Sequence, residues 1–415
     1  MSLQRRDFLR TSAGAVAMAM SPRRADAQYN GLAAELEQAM NAPVLRTELF
    51  KQPVKIASLE LLKNDRSYLV RARSTDGVTG FSEAHSAVMG AAYPILIKKV
   101  APTFIGRDAR ELEPLLREVY LAQSNYKWQG LPFWVSVAAV EIAILDMLGK
   151  TVNKPLGELF GPIAHRNIPV YRATGNRGNA PEAEIAYLQK IVAETGAGAI
   201  KFRLGARMRY DDASTKRDHA LIKLTRKTFG DNFTIYADAN GSYDVPMAIK
   251  IGRMMEEYKL GFFEEPVPFD YYEETKKIAD TLTIPIALGE EEMSLRQFRY
   301  IIERDVAQVI QPDLMYFGGF IRSLKVARMA AVANKDCTLH MSGGGLGYLY
   351  VAHFASVVKN CGAHQEYKGE DDTLPVSCES SSLKSEKGLL KVPTGPGLGV
   401  QIDPAFLKQA QVVAA

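Results

Sequence analysis

The sequence predicts an α/β fold, a closed parallel barrel of the TIM type preceded by a smaller α+β domain. Three observations predict it. Five acid or base residues each end a short apolar run: Asp238 in TIYADAN, Glu264 in GFFEEP, Glu290 in IPIALGE, Asp313 in QVIQPD and His340 in CTLHMS. Their separations are 26, 26, 23 and 27 residues, and Glu366 in AHQEY follows 26 later. A strand of about 5 residues, a helix of about 11 and two short loops need roughly that length. Parallel strands are buried on both faces, so a polar residue at each C-terminal end needs a reason. In a closed (β/α)8 barrel that end is where catalysis is built.

The elements follow in order. The chain has 415 residues, 47% apolar and 24% charged, which is ordinary globular composition and enough for two cores. Residues 1–27 read as a twin-arginine signal peptide. Gln4-Arg5-Arg6-Asp7-Phe8-Leu9-Arg10 carries the arginine pair, an apolar run spans 11–20, and Ala25-Asp26-Ala27 gives a small-x-small cleavage site. The expected location is therefore periplasmic. That run is too short to span a bilayer, and no other segment is expected to be long enough. The leader holds five Arg and two Asp, +3 of the chain's formal +4. The remainder is near neutral, so neither nucleic acid nor, after export, a membrane is an expected partner. Cys337, Cys361 and Cys378 have no metal-ligand spacing. Their odd number favours buried free thiols, with a Cys361–Cys378 bridge as the alternative.

Residues 28–165 form the α+β domain. A short helix and linker reach to about residue 50, and VKIASLELLKND and SYLVRARSTDGVTGFSEAH then alternate apolar and polar residues around an Asp76-Gly77 turn. Three helical patterns follow, the last being WVSVAAVEIAILDMLGK, which stops near Gly149. Strands followed by helices indicate an α+β unit. The βα alternation occupies 166–379. Asn167–Arg172 is a candidate first strand, AGAIKFRLG a second, and the six ending at Asp238, Glu264, Glu290, Asp313, His340 and Glu366 complete eight. Period-2 geometry places Lys201 and Arg203 on one face of the second strand. Residues 380–415, rich in Pro and Gly around 393–399, lack the period and are expected to pack back on the first domain.

Asp238, Glu264 and Glu290 end three adjacent strands, so their carboxylates converge. Two like charges about 4 Å apart repel by roughly 4 kcal/mol at an effective dielectric of about 20. Three need a cation or partial protonation. An all-oxygen set with open positions suits Mg²⁺, with Mn²⁺ as a substitute. Glu265 and Glu291 are expected to be turned to the other face by alternation. Asp313 and His340 read as a general-base pair, the carboxylate fixing the tautomer of the imidazole. Lys201 suits a substrate carboxylate or a proton shuttle. The run from Ser342 to Gly347 lacks the Gly-Lys-Ser/Thr ending of a phosphate loop and reads as a close-approach turn entering a helix. Ser242 and Tyr243 border the mouth, His85 is placed to reach over it, and His353 is expected to be packed in an apolar helix.

DxN at 238–240, EEP at 264–266, GE at 289–290, PD at 312–313 and His340, with DVPMAIK after Asp238 and GG after the PD motif, resemble the enolase superfamily, mandelate racemase subgroup. The resemblance covers nearly the whole chain after the leader. It implies a modified TIM barrel, (β/α)7–8, with an N-terminal α+β capping domain completed by the C-terminal tail. It implies Mg²⁺ ligands at Asp238, Glu264 and Glu290, and a catalytic dyad of Asp313 and His340. Glu366 would hydrogen-bond the substrate carboxylate as charge moves onto it. Lys201 and Arg203 would occupy the family's K-x-K positions, and Asn240 and His85 join the expected substrate contacts. The expected partner is a small-molecule carboxylate, in a homo-oligomer. Arg203 departs from the family's second lysine. Arginine stays protonated, so it is a poor proton acceptor and a good partner for carboxylate or enediolate oxygens. One-base chemistry follows: His340 takes the proton α to a carboxylate, the enediolate is steadied, and a β-hydroxyl leaves with acid help, for which His340 itself is a candidate. The expected activity is acid-sugar (aldonate or aldarate) dehydration. The alternatives are a racemase or epimerase of a 2-hydroxy acid and a non-catalytic exported sugar-acid binding protein.

Overall fold

The computed structural model describes residues 22–122, 128–342, 345–369 and 374–413, with side chains from residue 31 onward. The twin-arginine motif and its apolar run lie outside the described residues. The chain enters on α1 (Pro22–Asn41). A meander follows, β1 (Ile56–Asn64), β2 (Ser67–Ser74) and β3 (Thr79–Ala84), whose first turn needs Asp65 and whose second needs Gly77 in left-handed conformations. Helices α2 (Ser86–Ile95), α3 (Ala101–Phe104), α4 (Leu112–Leu121) and α5 (Leu131–Thr151) complete the unit.

Helix α5 corrects one expectation. Its 21 residues are long and apolar enough to cross a bilayer by length and composition. Every residue from Phe133 to Gly149 is nevertheless buried within the protein, packed largely against β2 and β3. A helix apolar all round is a core helix when protein surrounds it.

The barrel alternates β4 (Asn167–Ala173), α6 (Pro181–Thr195), β5 (Ala199–Arg203), α7 (Asp212–Phe229), β6 (Thr234–Asp238), α8 (Val245–Glu257), β7 (Phe263–Glu264), α9 (Tyr272–Thr281), β8 (Ile286–Leu288), α10 (Leu295–Glu303), β9 (Val309–Ile310), α11 (Phe320–Val332), β10 (Asp336–Cys337), α12 (Gly347–Ala355) and β11 (Gln365–Tyr367). Eight parallel strands run β10-β9-β8-β7-β6-β5-β4-β11. Side chains hold the seam between the outermost two: Gln365 Oε1 accepts from the Leu339 N–H at 3.1 Å, and Glu366 Oε2 from the Met341 N–H at 2.8 Å. Inside, Tyr236 stacks on Phe262 (centroids 4.0 Å) and Tyr171 meets Tyr236 edge-on at 5.3 Å. This aromatic layer closes the barrel beneath the site, and Lys201 Nζ stands 5.2 Å above the Tyr171 ring.

The tail holds β12 (Val376–Ser377), β13 (Ser385–Glu386), β14 (Leu389–Lys391), β15 (Gln401–Ile402), α13 (Pro404–Gln409) and β16 (Gln411–Val412). It divides its contacts between the two units. Strand β16 adds to β1 of the first domain, whereas β14 adds antiparallel to the lower half of barrel strand β4. At the other end α1 lies against α10 and α11 of the barrel, not against the meander, with Glu37 paired to Arg296 and Arg299. Cys337, Cys361 and Cys378 are free thiols; the first is buried and the others half-buried.

Candidate active site

Asp238, Glu264 and Arg203 end their barrel strands, Glu290, Asp313 and His340 stand just past theirs, and Lys201 and Glu366 lie within β5 and β11. Parallel register makes Asp238 the neighbour of Arg203 on one side and of Glu264 on the other. Glu290 lies two residues past β8, delivered by Gly289, whose φ of 133° excludes other residues. The three carboxylates offer one oxygen each within 4.8 Å of one another, and all three are buried.

Two cations balance part of this charge. Lys201 Nζ donates to both Glu264 oxygens at 2.8 and 2.7 Å and lies 3.2 Å from Glu366 Oε1. Burial pushes the Glu264 carboxyl up, but the Lys201 and Arg203 charges and the Lys201 hydrogen bonds together hold Glu264 below the usual range. Arg203 pairs with Asp238 and donates through Nε to the Thr174 carbonyl at 2.9 Å. Gln311 Nε2 adds a donor to Glu264 Oε2 at 3.1 Å. Even so, buried Glu290 Oε2 accepts no hydrogen bond, and buried Asp238 Oδ2 meets the Arg203 guanidinium. Burial raises the Glu290 carboxyl. Three buried carboxylates converging on one point, with Glu290 Oε2 left without a donor, fit a hard divalent cation, so the residues present suit Mg²⁺.

Opposite stands the imidazole. His340 Nδ1 meets Asp313 Oδ2 at 2.7 Å, while Nε2 faces the acidic cluster, 3.4 Å from Glu290 Oε2 and 3.8 Å from Glu366 Oε2. The other Asp313 oxygen accepts from the Met315 and Tyr316 N–H groups and from Ser342 Oγ. With Asp313 so fixed, the Nδ1–H is pinned and Nε2 is the free acceptor.

Several placements differ from the sequence reading. Asn240 is engaged with its own neighbours: its N–H donates to Asp238 Oδ1 at 2.7 Å and its amide to Glu265 Oε2 at 3.2 Å, while Arg203 and Arg177 donate to its side-chain carbonyl. Glu265 and Glu291 are not turned clear of the mouth, because the β7 ladder stops at Glu264 and β8 stops at Leu288, so alternation no longer applies. Glu265 takes a left-handed φ of 43°. Burial, with the Glu290 and Glu264 charges, pushes its carboxyl well up. Glu366 accepts rather than donates: burial pushes it up, but Lys201, Lys368 and His340 hold it well below the usual range. A hydrogen bond from Glu366 to a substrate carboxylate would first require its protonation.

Sequence reasoning missed Arg177, Lys368, Gln311 and Tyr316. Lys368 Nζ donates to the Met341 carbonyl beside the imidazole. It stands two residues past Glu366, so strand alternation could have found it. Arg177 lies on the loop after β4, where no period points to it. His85 does reach over from the first domain: it caps α2, and its Nε2 is 3.5 Å from the Tyr316 hydroxyl. Gly345 turns close against Glu83 before α12, as a close-approach turn requires; residues 343–344 lie outside the described residues.

A barrel mouth bearing an acid triad beside an imidazole–carboxylate pair, with an α+β domain supplying a residue from above, is the site of an enzyme. The chain belongs to the enolase superfamily: residues 184–406 match the enolase C-terminal domain-like family, and residues 40–161 match the mandelate racemase / muconate lactonizing enzyme N-terminal domain. It is similar to an arabinonate dehydratase of Saccharolobus solfataricus, 26% identical over 85% of this chain and 90% of that protein. It is similar to a D-galactonate dehydratase of Xanthomonas campestris pv. campestris, 26% identical over 83% of this chain and 91% of that protein. Among solved structures, a mandelate racemase/muconate lactonizing protein from Paracoccus denitrificans PD1222 complexed with magnesium is 25% identical, with a TM-score of 0.76 over 87% of this chain and 99% of that one.

Proposed function

We propose that this enzyme is a Mg²⁺-dependent acid-sugar dehydratase, converting an aldonate or aldarate to a 2-keto-3-deoxy acid. One observation carries the reading: the His340 ring is held by Asp313 at 2.7 Å with its free nitrogen directed at the acidic cluster. An imidazole so placed accepts the proton α to a carboxylate held at that cluster. Asp238, Glu264 and Glu290 would hold the ion, which when bound supplies Lewis-acid stabilisation of the developing negative charge. Lys201 and Arg203, buried on the opposite wall, offer fixed positive charge to the same oxygens. Arg203 stands where a second base would be needed for racemisation and holds its proton, which favours elimination over inversion. A cavity of about 570 Å³ opens between the two domains, lined by Arg66, Ser67, His85 and Ser342, and suits the polyhydroxyl end of such a substrate. The dehydratase relatives act on sugar acids of this kind. The twin-arginine leader supports export to the periplasm.

The test is a panel of aldonates and aldarates, including arabinonate and D-galactonate, incubated with the purified protein and Mg²⁺. A 2-keto-3-deoxy product should form, stop on chelation, and be absent from His340→Asn. In parallel, Mg²⁺ at about 100 times its dissociation constant should stabilise the wild type by about 2.7 kcal/mol. That shift should be lost in Glu264→Gln. Solvent-deuterium exchange at C2 of both enantiomers of a hydroxy acid, with no keto acid from any sugar acid, would show a racemase instead.

A further inference from the structure

We propose that Tyr316 is the catalytic residue that protonates the departing β-hydroxyl, and that His85, reaching down from the capping domain, is the positioning residue that aims its O–H. The inference rests on the dehydratase reading above and assigns the acid that reading leaves open.

Tyr316 lies in the turn that leads from Asp313 into α11. Leu314, Met315 and Phe317 around it are buried, while Tyr316 is half-buried and borders the mouth. Its ring lies 6.1 Å from that of His340, tilted by 38°. Its backbone N–H donates to Asp313 Oδ1 at 2.9 Å, so the carboxylate that orients the base also fixes the residue beside it. From above, the His85 ring sits 5.5 Å from the Tyr316 ring.

The His85 tautomer decides the direction of the bond between them. His85 is the N-cap of α2, and its Nδ1 accepts from the Val88 N–H at 3.4 Å. Burial holds the ring below its ordinary pKa, so it is neutral near pH 7. A neutral imidazole accepting at Nδ1 carries its proton on Nε2. The Nε2–H therefore donates to the Tyr316 oxygen at 3.5 Å, and the phenol proton is left to point elsewhere. Burial, with the Asp313, Glu291 and Glu290 charges, pushes the Tyr316 phenol up, so it enters the reaction protonated, and the fixed His85 donor stabilises the phenolate as the proton leaves.

The step balances without a further reagent. His340 takes the C2 proton. The electron pair left on the enediolate forms the C2–C3 double bond as the C3–O bond breaks. That bond's pair leaves on oxygen, which takes the Tyr316 proton and departs as water. The enol becomes the 2-keto acid, and the proton on His340 returns to the tyrosinate through solvent in the mouth.

Tyr316→Phe keeps the ring and removes only the hydroxyl. With D-galactonate and arabinonate in deuterated solvent, we expect keto-acid formation to fall by about 10²–10⁴-fold. Deuterium incorporation at C2 of recovered substrate should stay within a few-fold of wild type. Fluoride release from the 3-deoxy-3-fluoro analogues should also persist, because fluoride leaves with far less acid help. His85→Phe should slow water loss by about tenfold, the loss of one neutral hydrogen bond, with fluoride release kept. His85→Gln, which can still donate, should restore it. Dehydration by Tyr316→Phe within threefold of wild type would overturn the assignment and leave the dehydratase reading intact. Equal loss of water elimination, C2 exchange and fluoride release would overturn it too, since that marks a structural role. A wild type that dehydrates no sugar acid removes both readings together.

Discussion

Asp313 is the residue on which both sides of the mouth depend. One oxygen accepts from two backbone N–H groups and the Ser342 hydroxyl, and the other faces His340 Nδ1. In Asp313→Asn the acceptor oxygen would stay with the backbone donors, so the NH₂ group would face the imidazole. The imidazole would then carry its proton on Nε2, where it cannot accept one from carbon. We expect kcat to fall by about 10²–10⁴-fold, with KM within a few-fold, in steady-state assays. A variant that loses activity through KM alone would show that Asp313 does not set the tautomer. This pair was legible in the sequence because each member follows an apolar run at the βα spacing. Arg177 and Tyr316 were not, because loop residues carry no period and their partners Asn240 and His85 are 63 and 231 positions away. DxN places Asn240 next to a ligand, but only coordinates show that its amide also donates to Glu265.

At the scale of elements, the N-terminus of α11 shows how the first unit is fastened to the barrel. Glu141 of α5 accepts from the Phe320 N–H at 2.6 Å and the Ile321 N–H at 2.9 Å, satisfying two of the donors a helix start leaves open. Gly319 makes the approach possible: its φ is 106°, and a Cβ there would stand 1.7 Å from Glu141 Oε2. We expect Gly319→Ala to cost about 2–4 kcal/mol in urea unfolding, from backbone strain and the clash together. Glu141→Ala should cost about 1–3 kcal/mol through the two unpaired donors. The double variant should cost less than the sum, since the clash needs both partners. Strict additivity would place the cost of Gly319→Ala in its backbone alone. The strand-then-helix order and the βα period could be read from the sequence because they repeat locally. The ladder lengths could not. Strands β7, β9 and β10 pair over two residues each, although their apolar runs are longer, because burial depends on the barrel wall rather than on the ladder. The seat of α1 on α10 and α11 buries Leu36 and Met40 and pairs Glu37 with Arg296, 259 residues away, which no local pattern encodes.

Across the whole molecule, the returning tail is what ties the two units together, and one buried histidine makes that tie sensitive to acid. Leu398 donates its N–H to Asp146 of α5 at 2.7 Å, while its carbonyl meets His353 Nε2 of α12 at 3.1 Å. A single tail residue thus bridges the capping helix and the barrel. His353 is fully buried, and burial pulls its pKa down from 6.5 to about 4, with the Leu398 carbonyl opposing that shift. The unfolded chain therefore takes up this proton before the folded one does. The stability contributed by neutral His353 is complete above about pH 6.5 and is lost as pH falls towards 4, by about 3 kcal/mol in all. His353→Gln keeps a donor for the Leu398 carbonyl and removes the titration. We expect the unfolding free energy of the wild type, minus that of the variant, to be flat from pH 8 to 7 and to decline between pH 6.5 and 4. Parallel curves for the two proteins across that window would show that His353 is hydrated in the folded state and that the tail does not seal α12 from solvent.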